Sequence, residues 1–550
     1  MKRLAIMMVA TFAMVATARG QEQEGFTKHI EVQKEYEVVV RGAERIEQEV
    51  ALLDTTIVRP ELSYRIRPTA HIVEFEPRSL EPLPISAAEW SVPTNLYLNV
   101  GAGLPLQSEA DIYWSPVANQ NTQLLVWLNH EGSEGRTTNL DGERTSALLM
   151  RNRAGVSYGS TIGERTHLSA DVVYRGSLGE SYGGVGVGDG KRPFVSVHDV
   201  EARVKIAGTY NDKSSLAYDA NAMGLYAWNG VGENVWRFNF NYGLVGLNRV
   251  KSWLPRRVEF HYSGINSTCR EPYYDTSVTL VPEWSFRLGR WIPVDVMAGY
   301  DHMVYKGANN SLNGVVASIA ASYDRYAFAV PYVTVANDVQ TQVTRRGLWN
   351  NPYMAMLPVD SRKIFLAELG VKGDVGRVTY KLSGATRWFS TYMFEVVTEG
   401  SSLLDYGYSQ GQRVWYGEAE ALWRATRTMT LEASVRYTSL GVAESATAEF
   451  RPRSWEGHLE MRLVPAKRWE VRVGGEWKTA MEVTCRKVDG SAELMEVPGW
   501  FDLGVEGVWH RSKRTSVWLR GDNLLNQPIY HWATYKAPGA GFRMGVRICF

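Results

Sequence analysis

The carboxy-terminal stretch Gly541-Phe-Arg-Met-Gly-Val-Arg-Ile-Cys-Phe550 alternates strictly between two kinds of side chain. Bulky apolar residues take every second position, and glycine, arginine or cysteine stand between them. A β-strand sends successive side chains to opposite faces. A membrane barrel requires this pattern, because one face meets lipid and the other the lumen while every backbone group pairs with a neighbouring strand. A soluble sheet also accepts it, but a chain that ends on an aromatic residue inside such a strand is unusual there. The stretch predicts a transmembrane β-barrel strand.

The amino terminus predicts export. Met1-Lys2-Arg3 is followed by an apolar run over residues 4–16 and by the small-x-small site Ala18-Arg19-Gly20. Together they predict a cleaved signal peptide of residues 1–20. No later run reaches the roughly eighteen consecutive apolar residues of a transmembrane helix. We therefore expect a bacterial outer-membrane location, with the chain crossing the membrane as strands.

Composition supports an antiparallel all-β protein. The 550 residues include 28 Tyr, 19 Trp and 50 Gly, and the net charge is only +1. Near-neutral charge argues against nucleic acid as a partner. Three scattered cysteines are too few for a disulfide scaffold or a zinc site, and no metal or cofactor is expected. A bridge between Cys269 and Cys485 and two free thiols both remain open.

Segments of about ten residues with period-two alternation repeat from Thr94 to Phe550. Residues 468–478, for example, set Trp469, Val471 and Val473 against charged neighbours. Short gaps between segments alternate with long ones, as periplasmic turns alternate with outer loops. The count is about twenty-two strands, with an error of about two. The predicted long loops include Glu131–Arg144, Gly176–Pro193, Asn337–Ser361, Met393–Gln412, Leu440–Pro452, Thr479–Val497 and Gln527–Pro538.

The tail resembles the end of TonB-dependent receptors. That family closes its barrel with an Asn-Leu-Leu-Asn-like turn, a Tyr, a Pro-Gly and a last strand ending in Phe. The matching residues here are Asn523, Leu524, Asn526, Tyr535, Pro538, Gly539 and Phe550. Ala540 departs from the Arg that commonly follows Pro-Gly. The resemblance implies that Phe550 is the assembly signal read by the barrel-assembly machinery.

The amino-terminal region departs from the resembled family. Its members carry a plug domain of well over a hundred residues, whereas only residues 21–93 are available here. This segment is rich in proline and is predicted to be an extended strap, a vestige of a plug. Within it, Tyr36-Glu37-Val38-Val39-Val40 resembles a TonB box, which would pair by strand addition with a periplasmic energy-coupling protein. An edge strand or a linker explains the same Val-rich run.

A barrel of this size is about 40 Å wide and cannot stand open. The strap, inward-folded loops or a separate protein would fill it. Charged residues that alternate with apolar ones are predicted to line the lumen. The best candidates are Arg462, Glu470, Arg472, Glu476, Arg543 and Arg547. Outer-loop aromatics either hold a ligand or a surface lipoprotein, or pack the loops; they are Trp349, Tyr353, Tyr392, Phe394, Tyr406, Tyr530 and Trp532.

Three functions follow from these features. The first is a non-enzymatic channel or complex platform in outer-membrane lipid, closed by its own segments or by a partner. The second is an active TonB-dependent nutrient transporter with a minimal plug. The third is a lipid-modifying surface enzyme, which needs a Ser/His/Asp or metal constellation. His130 is instead expected to make a loop hydrogen bond, and His458 to belong to a lumen charge ladder.

Overall fold

The structure, a computed structural model, describes residues 95–119, 121–139, 142–186, 193–210, 216–230, 232–268, 273–305, 310–343, 351–354, 359–441 and 450–550. The predicted signal peptide, strap and TonB-box-like segment lie outside these ranges, as does Cys269. Within the described ranges, no helix is long and apolar enough to cross a bilayer.

Strands account for 76% of the described chain, and their pairing is antiparallel except where residues 396–398 lie beside residues 484–486. The first thirteen are β1 Leu96–Leu104, β2 Gln107–Ala118, β3 Thr122–Thr138, β4 Arg144–Ile162, β5 Thr166–Glu180, β6 Phe194–Gly208, β7 Ala217–Asn229, β8 Asn234–Val245, β9 Arg257–Ser267, β10 Tyr273–Leu288, β11 Ile292–Tyr305, β12 Asn310–Ser322 and β13 Val330–Val343. One short helix, α1 Leu247–Val250, joins β8 to β9.

The remaining strands complete a wall and decorate its outer loops. They are β14 Val359–Val375, β15 Val378–Thr398, β16 Leu404–Trp423, β17 Met429–Gly441, β18 Trp455–Ala466, β19 Trp469–Lys478, β20 Met481–Arg486, β21 Ala492–Val497, β22 Trp500–His510, β23 Thr515–Asp522, β24 Tyr530–Trp532, β25 Tyr535–Lys536 and β26 Gly541–Cys549.

The wall is a closed ring. Each strand from β1 to β19 pairs with the next, β19 then pairs with β22, and β23 pairs with β26. The last strand returns to the first, from Tyr97 opposite Cys549 to Leu104 opposite Phe542. The ring has 22 strands, which confirms the predicted number and the all-β barrel. Among the 22 described strands of the ring, none is therefore an edge strand.

The two faces of the wall differ in polarity as predicted. On β26, Phe542 and Met544 are 56% and 62% exposed, whereas Arg543 between them is 3% exposed. Exposed Leu, Val, Trp and Tyr side chains recur at alternate positions around the ring. An outward apolar band is what hydrocarbon requires of a barrel.

Several predicted loops are strands or contain strands. The loop predicted at Met393–Gln412 is wrong, because β15 and β16 pair as far as Val397 opposite Leu404. The loop predicted at Glu131–Arg144 is mostly β3, which ends at Thr138. A ladder continues beyond the membrane when cross-strand pairs remain favourable in water, and polar alternation alone does not mark where lipid ends. The Thr479–Val497 loop contains the hairpin of β20 and β21.

The Asn-Leu-Leu-Asn motif forms the predicted turn after β23. Asn523 and Asn526 have φ of 48° and 52°, a left-handed conformation that Asn tolerates better than other side chains. The Asn523 amide oxygen accepts a hydrogen bond from the Gln527 N–H at 2.8 Å. Asn526 Oδ1 accepts the N–H of Ala540 at 3.1 Å, so the departure at Ala540 still contributes through its backbone.

Trp518 of β23 packs over two glycines on neighbouring strands. Its indole is fully buried, and a Cβ at Gly101 or Gly545 would lie within about 2.5 Å of its ring. A large ring over strand glycines fills the space that missing side chains leave. These two glycines therefore fix the position of Trp518 beside the junction of β1 and β26.

Replacing Gly545 by Val should displace Trp518 and crowd the Val100 carbonyl, which costs about 1–3 kcal/mol. We expect a lower temperature for the heat-induced shift in gel mobility that marks barrel unfolding. Gly507→Ala is the matched control, since nothing lies within 4 Å of a Cβ there. Equal transition temperatures for the two variants would contradict this account of Trp518.

Candidate functional site

The junction of β1 and β26, which we call the closing seam, carries a buried polar network. Trp518 Nε1 donates to Asn99 Oδ1 of β1 at 2.7 Å. Asn99 Nδ2 donates in turn to Glu109 Oε1 and to Asp111 Oδ2 of β2, both at 2.9 Å. Asn99 and Asp111 are 2% and 3% exposed. The network therefore links β23, β1 and β2 on the face opposite the exposed apolar side chains.

Arg543 lies at the centre of the closing seam. Its guanidinium contacts Glu109 at 3.3 Å and also pairs with Asp522. It approaches Glu131 of β3 at 3.9 Å, three strands further round the ring. Side chains converge in this way on the concave face of a curved sheet, so this face points toward the barrel interior.

A second group of charges continues the network toward β22. Glu506 is 2% exposed and pairs with Arg520, and its other oxygen accepts from Arg547 at 3.0 Å. Arg520 also reaches Glu109 at 3.4 Å. Two arginines that neutralise each buried carboxylate offset its desolvation cost. Ion pairs thus connect β2, β22, β23 and β26 around the closing seam, in addition to the backbone hydrogen bonds between β1 and β26.

The other predicted lumen residues pair along β18 and β19. Glu470 accepts from Arg462 at 2.9 Å and lies 2.8 Å from Arg472. Glu476 pairs with Lys478 at 2.9 Å. The structure therefore places the six candidates in two paired groups; that they line a wet lumen stays a prediction. Glu109 and Glu506 also belong to this set of inward charged residues, although the sequence analysis did not name them. Both alternate with outward side chains along their strands, which is the pattern that identified the other six.

Phe550 follows the last strand. Its side chain is 57% exposed, and its N–H donates to the Leu96 carbonyl at 2.8 Å. The terminus is thereby fixed to the first strand. The assembly role of Phe550 stays a prediction.

At the other end of the barrel, residues from several loops form a buried cluster that we call the outer cap. Its members are Ala147, Tyr182, Tyr353, Met354, Val397, Leu404, Val483, Cys485, Val497, Ala533 and Tyr535. Tyr353 stacks on Tyr535 with ring centroids 3.7 Å apart, and Tyr182 meets the Tyr535 ring edge-on at 5.1 Å. Burial raises the pKa of Tyr182 and of Tyr535 well above the usual value, so both remain phenols. The Tyr182 hydroxyl donates to the Lys536 carbonyl at 3.0 Å.

The outer cap joins opposite walls of the ring. Ser181 follows β5 and Ser402 lies between β15 and β16, about half-way round, yet their hydroxyl oxygens are 3.1 Å apart. The Gly400 N–H donates to the Val185 carbonyl across the same divide at 2.8 Å. Loops from the two sides therefore meet over the barrel axis.

Two buried charged residues tie further loops to the outer cap. Glu395 accepts from Asn351 Nδ2 at 2.9 Å and from the Ala533 N–H at 3.3 Å. Arg453 donates to the carbonyls of Pro498 at 3.3 Å and Tyr530 at 3.2 Å. Each charge bridges segments that are far apart in the chain.

The predicted loop aromatics pack against each other or against other loops. Tyr392 and Phe394 lie on β15 rather than in a loop, and both rings stack on Phe450. Trp532 meets Tyr353 edge-on at 5.2 Å. Trp349 lies outside the described residues. Cys485 is buried in the outer cap, and since Cys269 is not described the bridge between them stays open.

His130 lies on β3 and not in the loop predicted for its neighbours. Its Nε2 is 2.8 Å from Ser108 Oγ of β2, and its Nδ1 is 2.7 Å from Asn152 Oδ1 of β4. These three side chains share the face of the exposed apolar residues. His458 lies on β18 between Glu456 and Glu460, where the charge ladder was expected.

A closed ring of 22 strands with an apolar exterior and a charged interior defines an outer-membrane β-barrel. Its fold is that of the TonB-dependent receptors, as the carboxy-terminal motif predicted.

Solved structures support this fold assignment. The FrpB iron transporter of Neisseria meningitidis superposes with a TM-score of 0.64 at 12% identity, over 84% of this chain and 82% of that one. The siderophore receptor PiuA of Acinetobacter baumannii gives 0.61 at 11%, over 83% and 81%. The ferric-catecholate import receptor Fiu of Escherichia coli gives 0.61 at 10%, over 83% and 82%. No family model and no curated protein sequence matches the chain.

Arg543→Met should strongly destabilise the barrel, because it removes the guanidinium that pairs with both Glu109 and Asp522 and leaves buried Glu109 with the longer 3.4 Å contact to Arg520. The expected loss is about 3–5 kcal/mol, measured as a lower denaturant midpoint for refolding into vesicles. Arg436→Met is the control, since the Arg436 side chain is 52% exposed and pairs with Glu418 near water. Its loss should stay at or below about 1 kcal/mol. If Arg436→Met destabilised the barrel as much as Arg543→Met, the closing seam would contribute no more to stability than an exposed ion pair does.

Proposed function

We propose that this protein is an outer-membrane channel whose outer mouth is closed by its own loops. The contact between Ser181 and Ser402 carries the proposal, because it joins loops from opposite sides of the ring. Twenty-two tilted strands enclose a lumen about 40 Å wide between backbones, which would pass small proteins if it stood open. A closure built into the chain protects the membrane barrier and still permits regulated passage.

The packing of the outer cap indicates a stable closure and not an incidental contact between loops. Three tyrosine rings, Tyr182, Tyr353 and Tyr535, come from three different loops and are each less than 10% exposed. Removing such rings from water stabilises the joined loops. The carboxylate of Glu395 and the guanidinium of Arg453 add hydrogen bonds to the loops of Tyr353 and Tyr535, and Arg453 also bonds to the Pro498 carbonyl.

The paired charges suit a passage with little ion selectivity. Arg462 and Arg472 both pair with Glu470, and Arg520 and Arg547 both pair with Glu506, so charges of both signs lie side by side. Selectivity by charge needs a ring of one sign. We therefore expect solute size and loop opening to govern what passes.

Weakening the outer cap should open the channel. Tyr182→Ala with Tyr535→Ala removes two buried rings, at a cost of several kcal/mol to the loop packing. In planar bilayers the double variant should show a large stable conductance where the unaltered protein is closed. Tyr326→Ala, at an inner turn, is the control and should stay closed.

A disulfide tests the same closure in the opposite direction. Ser181→Cys with Ser402→Cys, in the double alanine variant and with native cysteines replaced, should suppress conductance when oxidised and restore it on reduction. A double alanine variant that stays closed would refute closure by loops and leave the strap or a partner to fill the lumen.

Energised uptake of a nutrient is the alternative, and the fold similarity to iron and siderophore receptors favours it. In that case the outer cap is a ligand-entry gate. Residues 36–40 would then pair with the periplasmic energy-coupling protein as an added strand.

Deleting residues 36–40 separates the two functions. Under active transport, uptake of a radiolabelled ferric chelate by energised cells should fall to the level of cells lacking the protein. Deletion of residues 45–49 is the length-matched control and should leave uptake intact. Uptake that survives both deletions would exclude coupling through this segment.

A further inference from the structure

We propose that the outward face of the barrel carries a second, hydrolytic site, formed by Ser108, His130 and Asn152, that cleaves acyl esters of membrane lipids. The three residues lie on adjacent strands β2, β3 and β4. The site is separate from the lumen, so this proposal does not depend on the proposed channel function.

The atoms are connected as nucleophilic hydrolysis requires. Asn152 Oδ1 can only accept, so at 2.7 Å His130 Nδ1 carries the proton and donates it. His130 Nε2 is then the free base, and the Ser108 hydroxyl donates to it at 2.8 Å. A serine bonded to a histidine base that a third group orients is recognised by this geometry and not by sequence position.

The site opens to the outside of the barrel. Asn152 is exposed, and Ser108 and His130 are half-buried. In the turn just before β2 the Leu106 side chain is 67% exposed, and two residues from His130 along β3 Leu128 is 42% exposed. Leu128 shares the face of the site, and both leucines offer an apolar surface for an acyl chain.

Gly132 keeps space open beside the reacting atoms. A Cβ at this position would lie 2.6 Å from Ser108 Oγ and 3.3 Å from His130 Nε2. Any larger residue would press on the nucleophile and the base together. The glycine therefore leaves room where an ester carbonyl must approach.

The site lies in register with an aromatic row on the outside of the barrel. Asn152 pairs with Gly176, and Gly176 pairs with His198. His198 stacks on Trp228 with centroids 5.3 Å apart, within a row of outward aromatic rings near the long-loop end of the barrel. Aromatic belts sit at the level of the headgroups, where acyl ester bonds also lie.

The reaction balances with water as co-reactant. Ser108 Oγ bonds to the ester carbonyl carbon while its proton moves to His130 Nε2. The ester C–O bond then breaks, and the proton on Nε2 passes to the leaving oxygen, which departs as an alcohol. Water attacks the acyl-serine with His130 as base, which frees a fatty acid and restores the Ser108 hydroxyl. Asn152 is a positioning residue, because it touches only the histidine.

Labelling with an alkyl fluorophosphonate tests the nucleophile in the full-length protein in detergent micelles. Mass spectrometry should place one label on Ser108 and none in Ser108→Ala. His130→Asn should slow labelling at least about 100-fold, as loss of a general base does. Asn152→Ala should slow it about tenfold or more, and Asn152→Asp should restore it. Ser133→Ala is the control, because Ser133 lies on β3 like His130 but on the opposite face, and this variant should be labelled at the normal rate.

Heat-modifiable gel mobility verifies that each variant is a folded barrel. Labelling of Ser108 at the same rate in folded His130→Asn, or no labelling of the folded unaltered protein, would overturn the proposal and leave a structural polar ladder. The substrate is then assigned by fatty-acid release from vesicles of a phospholipid and, separately, of an acylated saccharide lipid. Release from one identifies the source of the ester, and release from neither overturns lipid hydrolysis.

Discussion

Backbone hydrogen bonding in hydrocarbon is the constraint on which this structure depends. An unpaired N–H or C=O inside a bilayer costs several kcal/mol, so a sheet that crosses it must have no free edge. The two strands that would form edges, β1 and β26, lie at opposite ends of the described chain and must find each other. The closing seam shows how side chains assist, since Glu109 of β2 pairs with Arg543 of β26 and Trp518 of β23 donates to Asn99 of β1.

Because the strands form a wide closed ring, the outer opening of the barrel must itself be blocked. A ring of this many strands encloses more space than side chains can fill, unlike a barrel of about eight strands. The strands β15 and β16 continue far past the membrane, which carries Ser402 inward until it meets Ser181 from the opposite wall. The sequence pattern predicted these outer extensions of β15 and β16 to be loops. Because they are paired strands, the short connection between them reaches across the wide lumen.

Side-chain alternation gives the wall two independent chemistries. Glu109 on β2 points inward to Arg543, whereas its neighbour Ser108 points outward to His130. A shift of one residue along a strand exchanges the two faces. The sequence pattern was enough to separate these faces on β26, where arginines alternate with Phe542, Met544 and Val546. It was not enough to pair Ser108 with His130 or Asn152, because register between strands is a property of the folded sheet.

The sequence by itself determined the all-β membrane barrel, its strand number to within about two, and the Asn523–Asn526 turn. The first two follow from local physics, namely period-two alternation and chain length per strand, and the turn follows from the resemblance of the tail to TonB-dependent receptors. Tertiary structure alone decided which strands extend beyond the membrane and which loops meet, as Ser181 and Ser402 do. It also decided that Glu109 neutralises Arg543, more than four hundred residues away. Contacts between distant segments depend on ring curvature and register, and no local pattern encodes either.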